Sequence, residues 1–166
     1  MNDAAGRSLT DRFDADRRPL YDSAMRINAD LLRQRAKEIR DALEVLDRYR
    51  QLSLEEFLAR TDAVDAAKYR LVVAVEAAVS ICNHPATRLA QRTPESYADC
   101  FSVLATTGII PTALAERLGQ MARFRNLLVH LYWQVDDAKV WEVLRHDLGD
   151  LETYLATVGD SVRERL

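Results

Sequence analysis

Apolar residues recur at helical spacing along most of the chain. Within residues 23–51 the apolar positions Leu32, Ile39 and Leu46 lie seven residues apart, which predicts a long amphipathic helix. Residues 62–84 are apolar around much of the helical circumference, so this second helix is expected at the centre of the fold. An alternation of period two, which would indicate strands, does not occur in the sequence.

Capping residues and prolines predict where the next elements begin and end. Ser53 and Glu56 have the spacing of a capping box, which predicts a short helix after the first long one. Pro85 is expected to end the central helix, and residues 85–92 are expected to form a connecting loop.

Similar signals divide the second half of the chain. Thr93 as an N-cap, with Pro94 at the first helical position, predicts a helix that Gly108 closes. Pro111 begins the next helix, and Asp136 is expected to cap a single long last helix. The sequence therefore predicts an all-α fold, an antiparallel bundle of four to five main helices with short connections.

The helical pattern does not extend to the first residues. Residues 1–22 carry mixed charges with few apolar positions and are interrupted by Pro19, which predicts a flexible N-terminal arm. Residues 23–166 are long enough for one domain with a hydrophobic core. We therefore expect one helical domain that follows a short arm.

Charge and composition narrow the classes of function. The chain has 166 residues and a net charge of −3, so it lacks the protein-wide positive field that drives non-specific nucleic-acid binding. A polyanion could be held only at a confined site. Glycine-rich phosphate loops and Cys/His metal constellations do not occur in the sequence, so neither a cofactor nor a metal is expected.

Apolar runs and cysteines predict where the protein works. No run approaches membrane-spanning length, and the first 19 residues lack the apolar core of a signal peptide. Cys82 and Cys100 have no metal-type spacing and are expected to be reduced, buried thiols, with a disulfide as the less favoured alternative. These features predict a cytoplasmic protein that does not contact a membrane.

The segment MARFRNLLVHLYWQVDD, residues 121–137, places polar side chains in an apolar helix. A wheel of residues 111–132 gives a packing seam formed by Leu114, Leu118, Met121 and Leu128. Arg125 and Tyr132 fall on the same seam and are expected to lie side by side. Because an unpaired buried charge is costly, Arg125 either pairs with a carboxylate such as that of Glu76 or the seam lines a cleft.

His130 follows Arg125 by five residues, so the two side chains point about 140° apart on a continuous helix. Asn126 shares the face of His130 much better. Arg125 and His130 can cooperate if the helix ends or distorts near His130, or if a second copy of the chain supplies part of the site. Structural roles are the alternative for each residue, because helical arginines often form ion pairs and single histidines often serve packing.

The surrounding sequence adds a resemblance to this pattern. The segment TPESYADCFSVLATTGIIPTALAERLGQMARFRNLLVHLYWQVDDAKVWEVL, together with YRLVVAVEAAVSICNH before it, resembles the HepT-like branch of the HEPN superfamily. The resemblance extends over about residues 26–160, and its motif of Arg, four residues, His, one residue and Tyr is complete at Arg125, His130 and Tyr132.

This resemblance implies a toxin of a type VII toxin–antitoxin pair. The family's toxins are metal-independent endoribonucleases, so Arg125 and His130 are implied to be catalytic at a cleft between two protomers. The implied partners are RNA, a second copy of the chain and a small nucleotidyltransferase antitoxin. That antitoxin is implied to neutralise the toxin by AMPylation of Tyr132.

The residue types suit cleavage of RNA without a metal. Imidazole titrates nearest neutral pH, so His130 fits the role of general acid or base. Arg125 presents a charged planar fork that matches phosphate oxygens, and Asn126 could orient either the imidazole or the substrate. Attack by the 2′-OH would exclude DNA as a substrate and leave a 2′,3′-cyclic phosphate. The alternative function is a non-catalytic helical bundle that binds a nucleotidyltransferase.

Overall fold

The structure is a computed structural model that describes residues 28–89 and 94–165, with the side chains of 87–89 and 162–165 left undescribed. Seven α-helices and one 3₁₀ helix follow one another in these ranges: α1 Ala29–Arg50, α2 Leu54–Leu58, α3 Thr61–Leu89, α4 Tyr97–Thr106, α5 Thr112–His130, the 3₁₀ helix Tyr132–Gln134, α6 Asp137–His146 and α7 Leu148–Arg165. These ranges contain no strand, so the all-α prediction is confirmed. The predicted arm, residues 1–22, lies outside the described residues.

Helix α3 lies at the centre of the bundle, as its apolar circumference predicted. It packs against α1, α4 and α5. Tyr154 of α7 is fully buried and donates a hydrogen bond to the Ala78 carbonyl of α3 at 3.0 Å. The Tyr154 ring also meets Phe101 of α4 edge to face, with centroids 5.6 Å apart. One continuous core therefore joins α3, α4 and α7. Among the described helices, none has the length and apolar character needed to cross a membrane.

Three of the predicted helix boundaries are present. Ser53 and Glu56 form both hydrogen bonds of a capping box at the start of α2. Asp136 caps α6 by accepting a hydrogen bond from the Ala138 amide. Gly108 follows the end of α4 with a φ of +72°, a conformation that favours glycine.

Gly108→Ala is expected to destabilise the fold by about 1 kcal/mol, because an L residue is strained at positive φ even where space is available. A methyl group added at Gly108 would meet no atom within 4 Å, and the same holds at Gly149, which lies in the first turn of α7. Gly149→Ala is therefore the matched control and should be neutral or slightly stabilising. Urea unfolding measures both, and equal midpoints for the two variants would contradict this prediction.

Pro85 does not end α3, which continues to Leu89, so the loop predicted for residues 85–92 is wrong over its first five residues. A proline inside a helix removes one backbone donor, but Pro85 itself is buried and lies in the penultimate turn. Core packing therefore favours continuation over termination. His84, which precedes Pro85, accepts a hydrogen bond from the backbone amide of Asn28 at 2.7 Å.

Two other helix boundaries also differ from the prediction. Helix α4 begins at Tyr97 rather than at Pro94, because Ser96 is the N-cap and accepts a hydrogen bond from the Asp99 amide at 3.1 Å. Thr93, the predicted cap, lies outside the described residues. The expected single last helix is divided at Asp147 into α6 and α7, with a tight turn closed by the Asp150 amide on the Asp147 carbonyl.

The two cysteines are paired, contrary to the expectation of reduced thiols. Cys82 of α3 and Cys100 of α4 are both fully buried, and their sulfur atoms form a disulfide. Their Cα atoms are 6.1 Å apart, a separation that a disulfide spans. The spacing along the chain could not reveal this pairing because it depends on how α3 packs against α4.

Candidate active site at the end of helix α5

Helix α5 carries the motif at its C-terminal end and buries the predicted seam. Leu114, Leu118, Met121 and Leu128 are all buried. Arg125 continues this seam, and its side chain is only 14% exposed. The helix therefore holds a charged group where its packing pattern requires an apolar one.

The Arg125 guanidinium is held by groups from two neighbouring helices. It forms an ion pair with the Glu76 carboxylate of α3 and lies 5.1 Å from the centre of the Tyr97 ring of α4. Tyr97 also donates its hydroxyl to Glu76 at 3.3 Å, so the ring and the carboxylate support each other. Of the two alternatives for Arg125, an internal carboxylate partner is the one observed.

Two further properties of Arg125 affect how its guanidinium can act in the candidate site. Burial lowers the pKa of the guanidinium below its usual value, while the Glu76 carboxylate balances the charge. Arg125 donates through Nη1 to the Asn126 side-chain oxygen at 2.9 Å. Its Nε is buried and has no hydrogen-bond acceptor within residues 28–89 and 94–165. Asn126 therefore contacts Arg125, and on the continuous helix it also lies one turn before His130, on the face that the sequence predicted.

His130 is the last residue of α5 and is exposed. In the part of the chain that the structure describes, its ring has no hydrogen bond or ion pair. Helix α5 is continuous from Arg125 to His130, so the divergence of about 140° persists. The chain leaves helical geometry only at Leu131, with φ −131° and ψ 36°. Arg125 faces into the bundle and His130 faces solvent.

Tyr132 lies in the 3₁₀ helix and contacts α3. Its hydroxyl donates a hydrogen bond to Asp65 Oδ1 at 2.5 Å, and Lys68 Nζ lies 4.3 Å from its ring centre. The hydrogen bond to Asp65 raises the pKa of Tyr132 to about 12, with burial and the Asp137 charge as smaller causes. This contact stabilises the folded state below the ordinary tyrosine pKa, and its contribution is lost as the pH rises through about 12.

Tyr132 is not beside Arg125, so that expectation is wrong for the single chain. Tyr132 contacts Asp65, whereas Arg125 contacts Glu76, which lies eleven residues further along α3. Eleven residues correspond to about 16 Å of helical rise. The helical wheel gave the wrong position for Tyr132 because it continued α5 past His130, the residue at which the helix ends.

Asp65 and Lys68 of α3 are the part of the site that the sequence pattern did not reveal, whereas Glu76 of the same helix was a candidate partner of Arg125. Asp65, Lys68 and Glu76 follow one stripe of α3 at spacings of three and eight residues, with Val72 between the last two. Lys68 is buried and pairs with Asp137 at 2.6 Å. The signal in the sequence that could have revealed them was the helical spacing of charged residues on a helix predicted to be central. A depression of about 220 Å³ lies between this stripe, Leu128 and Tyr132.

The described ranges contain no group of three His, Cys, Asp or Glu side chains arranged to hold a metal ion. Fold and site together define an all-α bundle with a complete Arg, four residues, His, one residue, Tyr motif at the end of a core helix. A family model described as Ribonuclease HepT-like matches residues 39–158, which is most of the chain. The chain belongs to this HepT-like family.

One known protein is similar to the chain in sequence, and two solved structures are similar to it in fold. The mRNA nuclease HepT of Shewanella oneidensis is 31% identical over 83 residues, which make up 50% of this chain and 62% of that protein. A solved structure described as a tri-AMPylated Shewanella oneidensis HEPN toxin in complex with MNT antitoxin has a TM-score of 0.73 at 24% identity, covering 79% of this chain and 98% of that one. The Bacillus subtilis protein YutE, described as a cytosolic protein of unknown function, has a TM-score of 0.74 at 14% identity, covering 84% and 94%.

Proposed function

We propose that this chain is the toxin of a type VII toxin–antitoxin pair and a metal-independent endoribonuclease, with residues 23–166 as its catalytic domain. The observation that carries the proposal is the complete motif, in which a core helix of a HepT-like protein holds Arg125 and ends at the exposed His130. A purely structural bundle has no need of a charge on its packing seam. The name of the Shewanella relative, an mRNA nuclease, supports this reading.

The chemistry follows from the residue types. His130 removes the proton from a ribose 2′-OH or supplies one to the leaving 5′-oxygen. Arg125 stabilises the charge that develops on the scissile phosphate, and Asn126 fixes the guanidinium through Nη1. The product is a 2′,3′-cyclic phosphate, and DNA is not cut because it lacks the 2′-OH.

We propose that the active site forms between two copies of the chain. Within one chain Arg125 faces the bundle and His130 faces solvent, so a second copy is the simplest source of the missing neighbour. Leu127, Val129 and Trp133 flank His130 and are 47%, 44% and 78% exposed, which supports an apolar contact at this end of α5. A symmetric pair would also supply two imidazoles, one as acid and one as base.

We also propose that a nucleotidyltransferase antitoxin neutralises the protein by AMPylation of Tyr132. The tyrosine is 39% exposed and follows His130 by two residues. The description of the Shewanella complex, an AMPylated HEPN toxin with an MNT antitoxin, supports this proposal. Since Tyr132 contacts Asp65 rather than the Arg125 region, the added nucleotide would obstruct the His130 end of the cleft.

The activity is tested by incubating the purified protein with RNA and mapping the cleaved ends. We expect internal cuts that leave 2′,3′-cyclic phosphates, persist in EDTA and are absent on DNA of the same sequence. Cleavage that EDTA abolishes would refute metal independence. Intact RNA, with a stable complex formed with the nucleotidyltransferase, would instead support the non-catalytic bundle.

A further inference from the structure

Tyr132 is surrounded by more charged side chains than an exposed tyrosine needs for its packing. Asp65 accepts a hydrogen bond from this hydroxyl at 2.5 Å, and Lys68 covers the ring face at 4.3 Å. Lys68 is 5% exposed and is anchored at 2.6 Å by Asp137, the first residue of α6. Tyr69 of α3 lines the same depression. The phenol is thus held between a carboxylate and a buried cation, although its own surface remains accessible.

We propose that Asp65 is the general base of the modification of Tyr132, so that the toxin supplies a catalytic group for its own neutralisation. This inference rests on the proposed AMPylation and deepens it. The hydroxyl oxygen of Tyr132 attacks the α-phosphorus of a nucleoside triphosphate bound by the partner. The new O–P bond forms as the bond to the β-phosphate oxygen breaks, pyrophosphate leaves, and the phenolic proton passes to Asp65 Oδ1.

The position of Asp65 fits this role in two ways. Its Oδ1 atom already accepts a hydrogen bond from the Tyr132 hydroxyl, so the side chains need not rearrange before the proton is transferred. Asp65 is exposed, so the transferred proton can pass to solvent and restore the carboxylate. With its pKa at about 12, the phenol of Tyr132 is almost wholly protonated near neutral pH, and attack therefore needs a base.

Lys68 acts as a positioning residue in this arrangement. Its cation lies against the ring, and its ion pair with Asp137 ties the ring to the start of α6. The titratable groups that line the depression beside Asp65 are Lys68 and Tyr69 from its own helix and Tyr132 from the 3₁₀ helix. Asp137 of α6 pairs with Lys68, and Asp62 lies one turn before Asp65 on α3. Lys68 is the cation among the groups that line this depression, and it lies against the ring of Tyr132.

Asp65→Asn is the decisive variant because the amide oxygen can still accept the phenolic hydrogen bond but is too weak a base to take the proton. Asp62→Asn is the matched control, since Asp62 lies one turn earlier on α3 and pairs with Arg60 at 3.2 Å. The purified chain and its variants are incubated with the proposed nucleotidyltransferase partner and MgATP. Intact mass measures the rate of AMP addition between pH 7 and 9.5.

We expect Asp65→Asn to slow AMP addition by about 10²-fold near pH 7, with the KM for ATP unchanged. The deficit should shrink as the pH rises, because hydroxide then generates the phenolate that Asp65 no longer assists. A residue that only held the ring in place would give a deficit independent of pH. Asp62→Asn should match the wild type at every pH.

The outcomes distinguish failure of this inference from failure of the proposed AMPylation of Tyr132. If the wild type gains no AMP, or if Tyr132→Phe gains as much AMP as the wild type, the proposed modification of Tyr132 is wrong. Asp65 then has no role as a base. If the wild type is modified at Tyr132 and Asp65→Asn keeps the same rate, or loses it equally at all pH values, the base assignment alone is wrong. Thermal melting and a tyrosine titration, in which the pKa near 12 should fall in Asp65→Asn, show that the variant is folded with the contact altered.

Discussion

Arg125→Lys is expected to lower the rate of RNA cleavage by about 10²- to 10³-fold. Lysine keeps the positive charge that Glu76 requires, so the ion pair within the bundle can persist. It removes the planar fork, however, and with it the Nη1 donor that Asn126 accepts and the buried Nε–H. Single-turnover cleavage of a labelled RNA measures the effect on the chemical step.

Arg117→Lys is the matched control for this substitution. Arg117 lies on the same helix and pairs with a carboxylate through Nε, that of Asp150 on α7 at 2.9 Å, but it is located more than three turns before His130. We expect this variant to cleave RNA at the wild-type rate. Equal rates for Arg125→Lys and the wild type would mean that Arg125 contributes only charge or packing. Equal losses in both variants would point to a general effect of weakening ion pairs on α5.

Most of the fold could be predicted from the helical pattern, because the signals in that pattern are local. The spacing of Leu32, Ile39 and Leu46 predicts α1, and the capping box at Ser53 needs only four consecutive residues. Pro85 shows where local reasoning fails, since its buried position in the core outweighs one lost hydrogen bond. The division at Asp147 is a similar case, in which a turn between two amphipathic helices leaves the apolar pattern uninterrupted.

The candidate site was predictable only as far as helix α5 extends. The seam position of Arg125 required a partner, and Glu76 was a candidate before the packing was known. Tyr132 was misplaced because a wheel contains no information about the helix end at His130. Asp65 and Lys68 were missed for a different reason: which face of α3 meets the 3₁₀ helix is decided by tertiary packing.

The second large effect concerns which protomer supplies each of the two side chains that we propose to be catalytic. Arg125→Ala and His130→Ala are each expected to lower cleavage by about 10³-fold as homodimers. Coexpression with different affinity tags and two-step purification yields the mixed dimer. In that dimer one chain retains Arg125 and the other retains His130, so no chain is wild type.

If the cleft combines Arg125 of one protomer with His130 of its partner, the mixed dimer contains one intact pair and should exceed both parents by about tenfold or more. Full recovery is not expected, because only one imidazole remains where a symmetric dimer supplies two. If both residues act within one chain, the mixed dimer stays as slow as its parents. Because α5 is unbroken from Arg125 to His130, that outcome would require the α5 terminus to unwind on binding RNA, which would place the flexibility of the site at Leu131 rather than at a protein interface.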